Sequence, residues 1–185
     1  MSIFLSLLYA LGALFLAVAN LSAMRRDRGI KNAGADWGAR RRKALAVRPE
    51  EMGDAVAPGD PYGVLMEVAT PGTTLTLAAF ADGRASLYSS AGGDALEGVG
   101  HDAVREAARA LVAEAKAHQK TMKPVSDCPR PGFGNVRFNI ISGKGILAVE
   151  EDEEALDKGW SPLSGLYQAG VRTMQALRQP PGQAG

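Results

Sequence analysis

TLTLAAFADGRASLY, residues 74–88, is a pair of strand-like runs with Asp82-Gly83 between them. Leu75, Leu77 and Ala79 fall on one face of the first run, the period-2 pattern of a half-buried strand. Asp-Gly in that position signals a hairpin, because both central residues of a type I′ turn take positive φ. Just upstream, Val64-Leu65-Met66-Glu67-Val68 is another run of strand length. Three strands therefore precede any helical pattern.

Downstream, Ala91-Gly92-Gly93-Asp94 opens a loop to Gly100, and a helix is expected from His101 or Asp102 to Gln119. Val104, Ala107, Ala108, Leu111, Val112, Ala115 and Met122 give it one apolar stripe at i, i+3, i+4 spacing. A Pro-rich crossing, residues 123–134, leads to residues 136–141, a turn at Gly143-Lys144-Gly145, and residues 146–149, a second hairpin. Ser161-Pro162 then supplies an N-cap and a proline at the first helical position. From Leu163 to Leu177 the apolar residues keep helical spacing. The order is β-β-β-α-β-β-α. Hairpins joined by helices predict an α+β two-layer domain over residues 62–178, with a five-stranded, mainly antiparallel sheet and two packed helices.

Residues 3–24, IFLSLLYALGALFLAVANLSAM, run for 22 positions without a charge and stop at Arg25, Arg26, Asp27 and Arg28. As a helix rising about 1.5 Å per residue, the run would reach roughly 33 Å, against roughly 30 Å of hydrocarbon. A cleavable signal would carry basic residues ahead of its apolar core; none precede this one, although Ala17-Val18-Ala19 offers an A-x-A site. Lys and Arg after the run hold that side in the cytoplasm. The expectation is a single-pass transmembrane helix in the inner (cytoplasmic) membrane, with the C-terminal domain cytoplasmic and the lipid bilayer as first partner. Small residues such as Gly12 and Ala13 permit helix association, without a G-x-x-x-G motif.

Net charge is +1, unevenly distributed: residues 24–51 hold nine Lys/Arg against four Asp/Glu, and the rest of the chain is acidic. Residues 25–61 thus read as a basic, flexible juxtamembrane tether, with a short helix near residues 40–46 as its only regular element. Arg25, Arg26, Arg28, Arg40, Arg41, Arg42 and Lys43 are expected along anionic lipid headgroups, where each basic residue gains about 1 kcal/mol. No nucleic acid is expected as a partner, since no basic face is interleaved with aromatics. Residues 179–185, QPPGQAG, are expected to form a disordered tail.

Candidate chemistry is sparse. Gly92, Gly93, Gly100 and His101 precede a helix whose free N–H groups can hold an anion, so they form a candidate ligand loop. Neither G-x-x-x-x-G-K-[ST] nor G-x-G-x-x-G is present, and a mobile connecting loop is the plainer reading. Glu150, Glu151, Asp152, Glu153 and Glu154 lack the alternating ligands and central glycine of a calcium loop. A solvated acidic run, or a docking surface for a basic partner, fits them better. One cysteine, Cys128, and two histidines supply neither a disulfide nor a transition-metal site, and no G-x-S-x-G elbow appears. No catalytic residue, metal or cofactor is expected.

On the blocks VLMEV (64–68), AFADGRASLYSSAGG (79–93), VRFNIISGKGILAVEEDEEAL (136–156) and SPLSGLYQAGV (161–171), residues 62–178 resemble an uncharacterised bacterial domain family. That resemblance implies no activity. The element order is also similar to profilin-like and roadblock/longin-like modules, which serve as interaction platforms; this is fold-level analogy. Together these features predict a membrane-tethered, non-enzymatic interaction or scaffold domain that binds a protein partner or a second copy. The alternative is a membrane-anchored small-ligand sensor using the Gly92 to Gly100 loop and His101.

Overall fold

A computed structural model describes residues 30–98 and 101–179. The expected anchor 3–24, Arg25, Arg26, Arg28, Gly100 and tail residues 180–185 lie outside the described residues. Among the described residues, seven strands form one antiparallel sheet: β1 (Pro61–Thr70), β2 (Thr73–Phe80), β3 (Ala85–Ser89), β4 (Leu96–Glu97), β5 (Lys123–Val125), β6 (Asn135–Ser142) and β7 (Gly145–Asp152). Their spatial order is β4-β3-β2-β1-β6-β7-β5. Four α-helices accompany them among the described residues: α1 (Ile30–Leu45), α2 (Asp102–His118), α3 (Glu153–Asp157) and α4 (Ser164–Arg178). None of these helices is long and apolar enough to cross a membrane.

The α+β class holds, but the sheet has seven strands where five were expected. The additional strands are its two margins, β4 with two residues and β5 with three. Such short elements carry no periodicity, and β5 lies in the Pro-rich crossing, where Pro124 is tolerated because an edge strand needs donors on one side only. The β2–β3 hairpin is present with a different turn. Only Gly83 takes positive φ there, at 92°, while Asp82 accepts from the Arg84 N–H at 2.9 Å. A four-residue connection, Ala81 to Arg84, thus replaces the two-residue type I′ turn.

β1 lies at the centre and is buried on both faces, so its alternate residues serve two cores. Val64, Met66 and Val68, with Leu75 and Leu77 of β2 and Phe138 and Ile140 of β6, pack against α2 and α4. α4 begins at Ser164, two residues later than Ser161-Pro162 suggested. Ser161 Oγ accepts from the Leu163 N–H at 3.2 Å, and its carbonyl from the Ser164 N–H at 3.1 Å, so these residues form a turn that leads into the helix. Close approach fixes one position in this core. A Cβ on Gly98 would lie 2.3 Å from Cγ1 of buried Val104 and 3.1 Å from Leu177 Cδ2. Gly98→Ala is expected to cost about 1–3 kcal/mol by overpacking, read as a lower urea midpoint with unchanged m-value.

The other face overturns the two-layer expectation. Trp37 and Ala44 of α1, with Met52, cover Leu65, Ala78, Phe80, Tyr88 and Ile141, which makes a third layer. From Ile30 onward, the stretch expected to be a flexible tether is a docked helix followed by a 3-10 segment at Pro49–Ala55. Trp37, Arg41 and Ala44 share one helical face at i, i+4, i+7 spacing, and that spacing is what allows the basic run to pack.

Candidate functional site

Strand register places one polar side chain from each of five strands in a single row beneath α1. Tyr88 of β3 is opposite Thr76 of β2, Thr76 opposite Glu67 of β1, Glu67 opposite Arg137 of β6, and Arg137 opposite Glu150 of β7. Glu67 is 0% exposed. Its carboxylate accepts two bonds from Arg41, from Nε at 2.6 Å and Nη2 at 2.7 Å. Thr76 Oγ1 at 3.2 Å and Asn139 Nδ2 at 3.1 Å donate to the same carboxylate. Trp37 Nε1 donates to Thr76 Oγ1 at 3.0 Å, which ties α1 to the row at a second point. Four donors occupy the carboxylate, so Glu67 is a seat for α1 and has no acceptor site left for a substrate proton.

The row continues outward. Arg137 bridges Asn139 Oδ1 and Glu150 Oε2, each at 3.3 Å, and Glu150 Oε1 accepts from the Gly132 N–H and Asn135 Nδ2, both at 2.9 Å. Burial raises the Glu150 pKa, but these donors outweigh it and hold the carboxyl below its ordinary value. Above the row, Arg130 stacks 4.1 Å from the Trp37 ring centroid, and the segment before it carries Cys128. Burial pushes the Cys128 thiol up against the pull of Arg41 and Arg137, the reverse of what a nucleophilic thiolate requires. Tyr88 ends the row with its hydroxyl buried and unpartnered, and burial likewise pushes its pKa up.

Of the basic residues expected at the membrane surface, Arg41 is instead turned inward to Glu67. Burial of a carboxylate demands a counter-charge, and Arg41 is the cation that the helix face delivers. Arg40 pairs with Asp36 and Glu97, both at 3.2 Å, while Arg42 and Lys43 are exposed. The candidate ligand loop is split. Gly92 and Gly93 follow β3 at one end of the sheet; β4 then runs back beside β3, and the Gly98 N–H donates to the Ala85 carbonyl, so His101 starts α2 at the other end. β3 alone separates the two groups by about 13 Å of strand rise.

The acidic run is not a loop. Glu150, Glu151 and Asp152 finish β7, and Asp152 caps α3 by accepting from the Ala155 N–H at 2.9 Å. Glu154 pairs with Lys158, and Glu151 accepts from Ser161 Oγ at 3.2 Å. Glu153 turns inward to the Tyr167 hydroxyl at 3.3 Å. Burial raises its pKa, a bond from Tyr167 opposes that, and Asp157 and Asp152 add to the rise. The folded state thus favours protonated Glu153, and ionisation removes stability as pH rises through the window above the unfolded value of about 4.3. Glu153→Gln is expected to melt higher than the parent at pH 7 and to lose that advantage below about pH 4, as thermal unfolding across pH will show.

A cavity of about 480 Å³ lies at the start of β1, lined by Pro49, Val56, Pro58, Asp60, Tyr62 and Lys144 among others. It is remote from Gly92 and Gly93. Among the described residues, no group of three His, Cys, Asp or Glu side chains is placed to hold a metal ion. Sequence reasoning missed Glu67, Thr76, Arg137 and Asn139. Their signal is a polar residue on a shared phase of otherwise apolar strands, matched by a guanidinium on an amphipathic helix. Compared with known proteins, the chain matches no family model, no curated protein and no solved structure.

Proposed function

We propose that this chain is a membrane-tethered, non-enzymatic interaction domain, anchored in the inner membrane by residues 3–24 with its folded part cytoplasmic. The observation that carries the reading is the seating of α1 on the sheet through Arg41, Glu67 and Trp37. Only residues 25–29 separate the apolar run from Ile30, and six Cα steps span at most about 20 Å. A domain so held works at the bilayer surface, on partners that come to it. The charges of the polar row support a scaffold over an enzyme, because Glu67 is spent on holding α1 and Arg137 and Glu150 on each other. Arg42 and Lys43 are exposed in the last turn of α1, about 18 Å of helical rise beyond Ile30, and so lie away from the proposed anchor.

Protease treatment of a C-terminal tag in spheroplasts tests the placement: protection, with the full-length mass retained, is expected. Digestion in intact spheroplasts, or a mature chain lacking the apolar run, overturns it. Crosslinking in the membrane is expected to give one dominant adduct, with a second copy or a single protein; a crosslinked sample without any adduct removes the interaction role.

A further inference from the structure

The two exposed large apolar side chains among the described residues are Phe133, 76% exposed, and Trp160, 71% exposed. Both belong to one end of the sheet. The Gly134 N–H donates to the carbonyl of Ala69 near the end of β1, the Glu153 N–H donates to the Gly134 carbonyl, and the Trp160 N–H donates to the Ala155 carbonyl in α3. The N-terminus of α1 lies toward that same end. Val47, just past its C-terminus, accepts from the Tyr62 hydroxyl at the start of β1, whereas Trp37 lies farther along, at Thr76 and under Arg130. Ile30 begins the helix seven residues before Trp37, about 10 Å nearer that end by helical rise.

We propose that Phe133 and Trp160 rest in the interfacial region of the bilayer that anchors this chain, giving the domain a second, shallow membrane contact. This inference rests on the anchor reading above. An aromatic ring with a cation beside it suits the headgroup level, where apolar body and polar rim are both satisfied. Trp160 has such a cation, with Lys158 Nζ 4.7 Å from its ring centroid. Four carboxylates at this end are engaged within the chain, Glu150 with Arg137, Glu151 with Ser161, Asp152 with the start of α3, and Glu154 with Lys158, while Asp157 keeps one carboxylate oxygen buried and without a hydrogen-bond partner. A zwitterionic surface therefore suffices, and the contact is apolar in origin.

The chain has two tryptophans, and Trp37 is 5% exposed beneath Arg130, which makes it an internal baseline. Full-length protein in phosphatidylcholine nanodiscs, prepared with and without lipid brominated near the headgroup, reads the contact by fluorescence. Bromolipid is expected to remove most of the emission component that Trp160→Phe abolishes, while the Trp37 component stays unchanged. A Trp160 component that remains unquenched by bromolipid and open to aqueous iodide, in discs that retain the folded chain, overturns the proposal. Shielding of Trp160 that follows protein concentration and not lipid assigns this end to a second copy, and overturns it too. A chain that fails to co-elute with discs defeats the anchor reading instead.

Discussion

Arg41→Ala is expected to cost about 3–5 kcal/mol of folding stability, because it strands the Glu67 carboxylate without a counter-charge inside the protein. Glu67 is 0% exposed and Arg41 is its only cationic partner in the described ion pairs, while Arg137, opposite it in the register, is engaged with Asn139 and Glu150. Chemical denaturation of a chain of residues 29–179 measures the loss. The pair matters more by its breakage than by its presence. Replacing both residues by Met at once removes the buried charge together with its partner, and that double variant is expected to recover most of the stability lost in either single change. A small loss in Arg41→Ala, with α1 still protected from amide exchange, would mean that Trp37 and Ala44 alone seat the helix.

Removing α1 has a larger expected effect. A chain beginning at residue 58 should fail to fold into a soluble monomer, whereas one beginning at residue 29 should fold cooperatively. Leu65, Ala78, Phe80, Tyr88 and Ile141 lose their cover in the shorter chain, and a contiguous apolar sheet face of this kind drives association. Sedimentation and one-dimensional proton NMR on the two chains decide the matter. A well-dispersed, monomeric spectrum from the shorter chain would return residues 30–57 to the role of a tether.

The central strands were legible because each is an apolar or alternating run of strand length, and α2 because five buried residues recur on one face. The margins of the sheet were not, since two or three residues carry no period. α1 was misread for a physical reason: ARRRK has the composition of a solvated run, and helical composition alone does not reveal that one arginine in it meets a buried acid. Glu67 within VLMEV held the missing clue. A carboxylate in the middle of a strand buried on both faces requires a cation from elsewhere in the chain, and residues 40–43 are the densest source. Gly92 and His101 were grouped because they are close in sequence; β4 between them turns the chain and sets them apart.

The two shortest strands have a consequence for life in a plane. Copies confined to one membrane, as the proposed anchor requires, meet at high local concentration and in a shared orientation, the condition under which open sheet margins zip together from one molecule to the next. Here the sheet ends at one side in Leu96–Glu97 and at the other in Lys123–Val125, with Glu97 tied to Arg40, Lys123 exposed and Pro124 withholding an N–H. Brevity, charge and proline are the devices by which natural sheets refuse edge-to-edge growth. On the proposed anchor, such margins would keep crowding from becoming polymerisation.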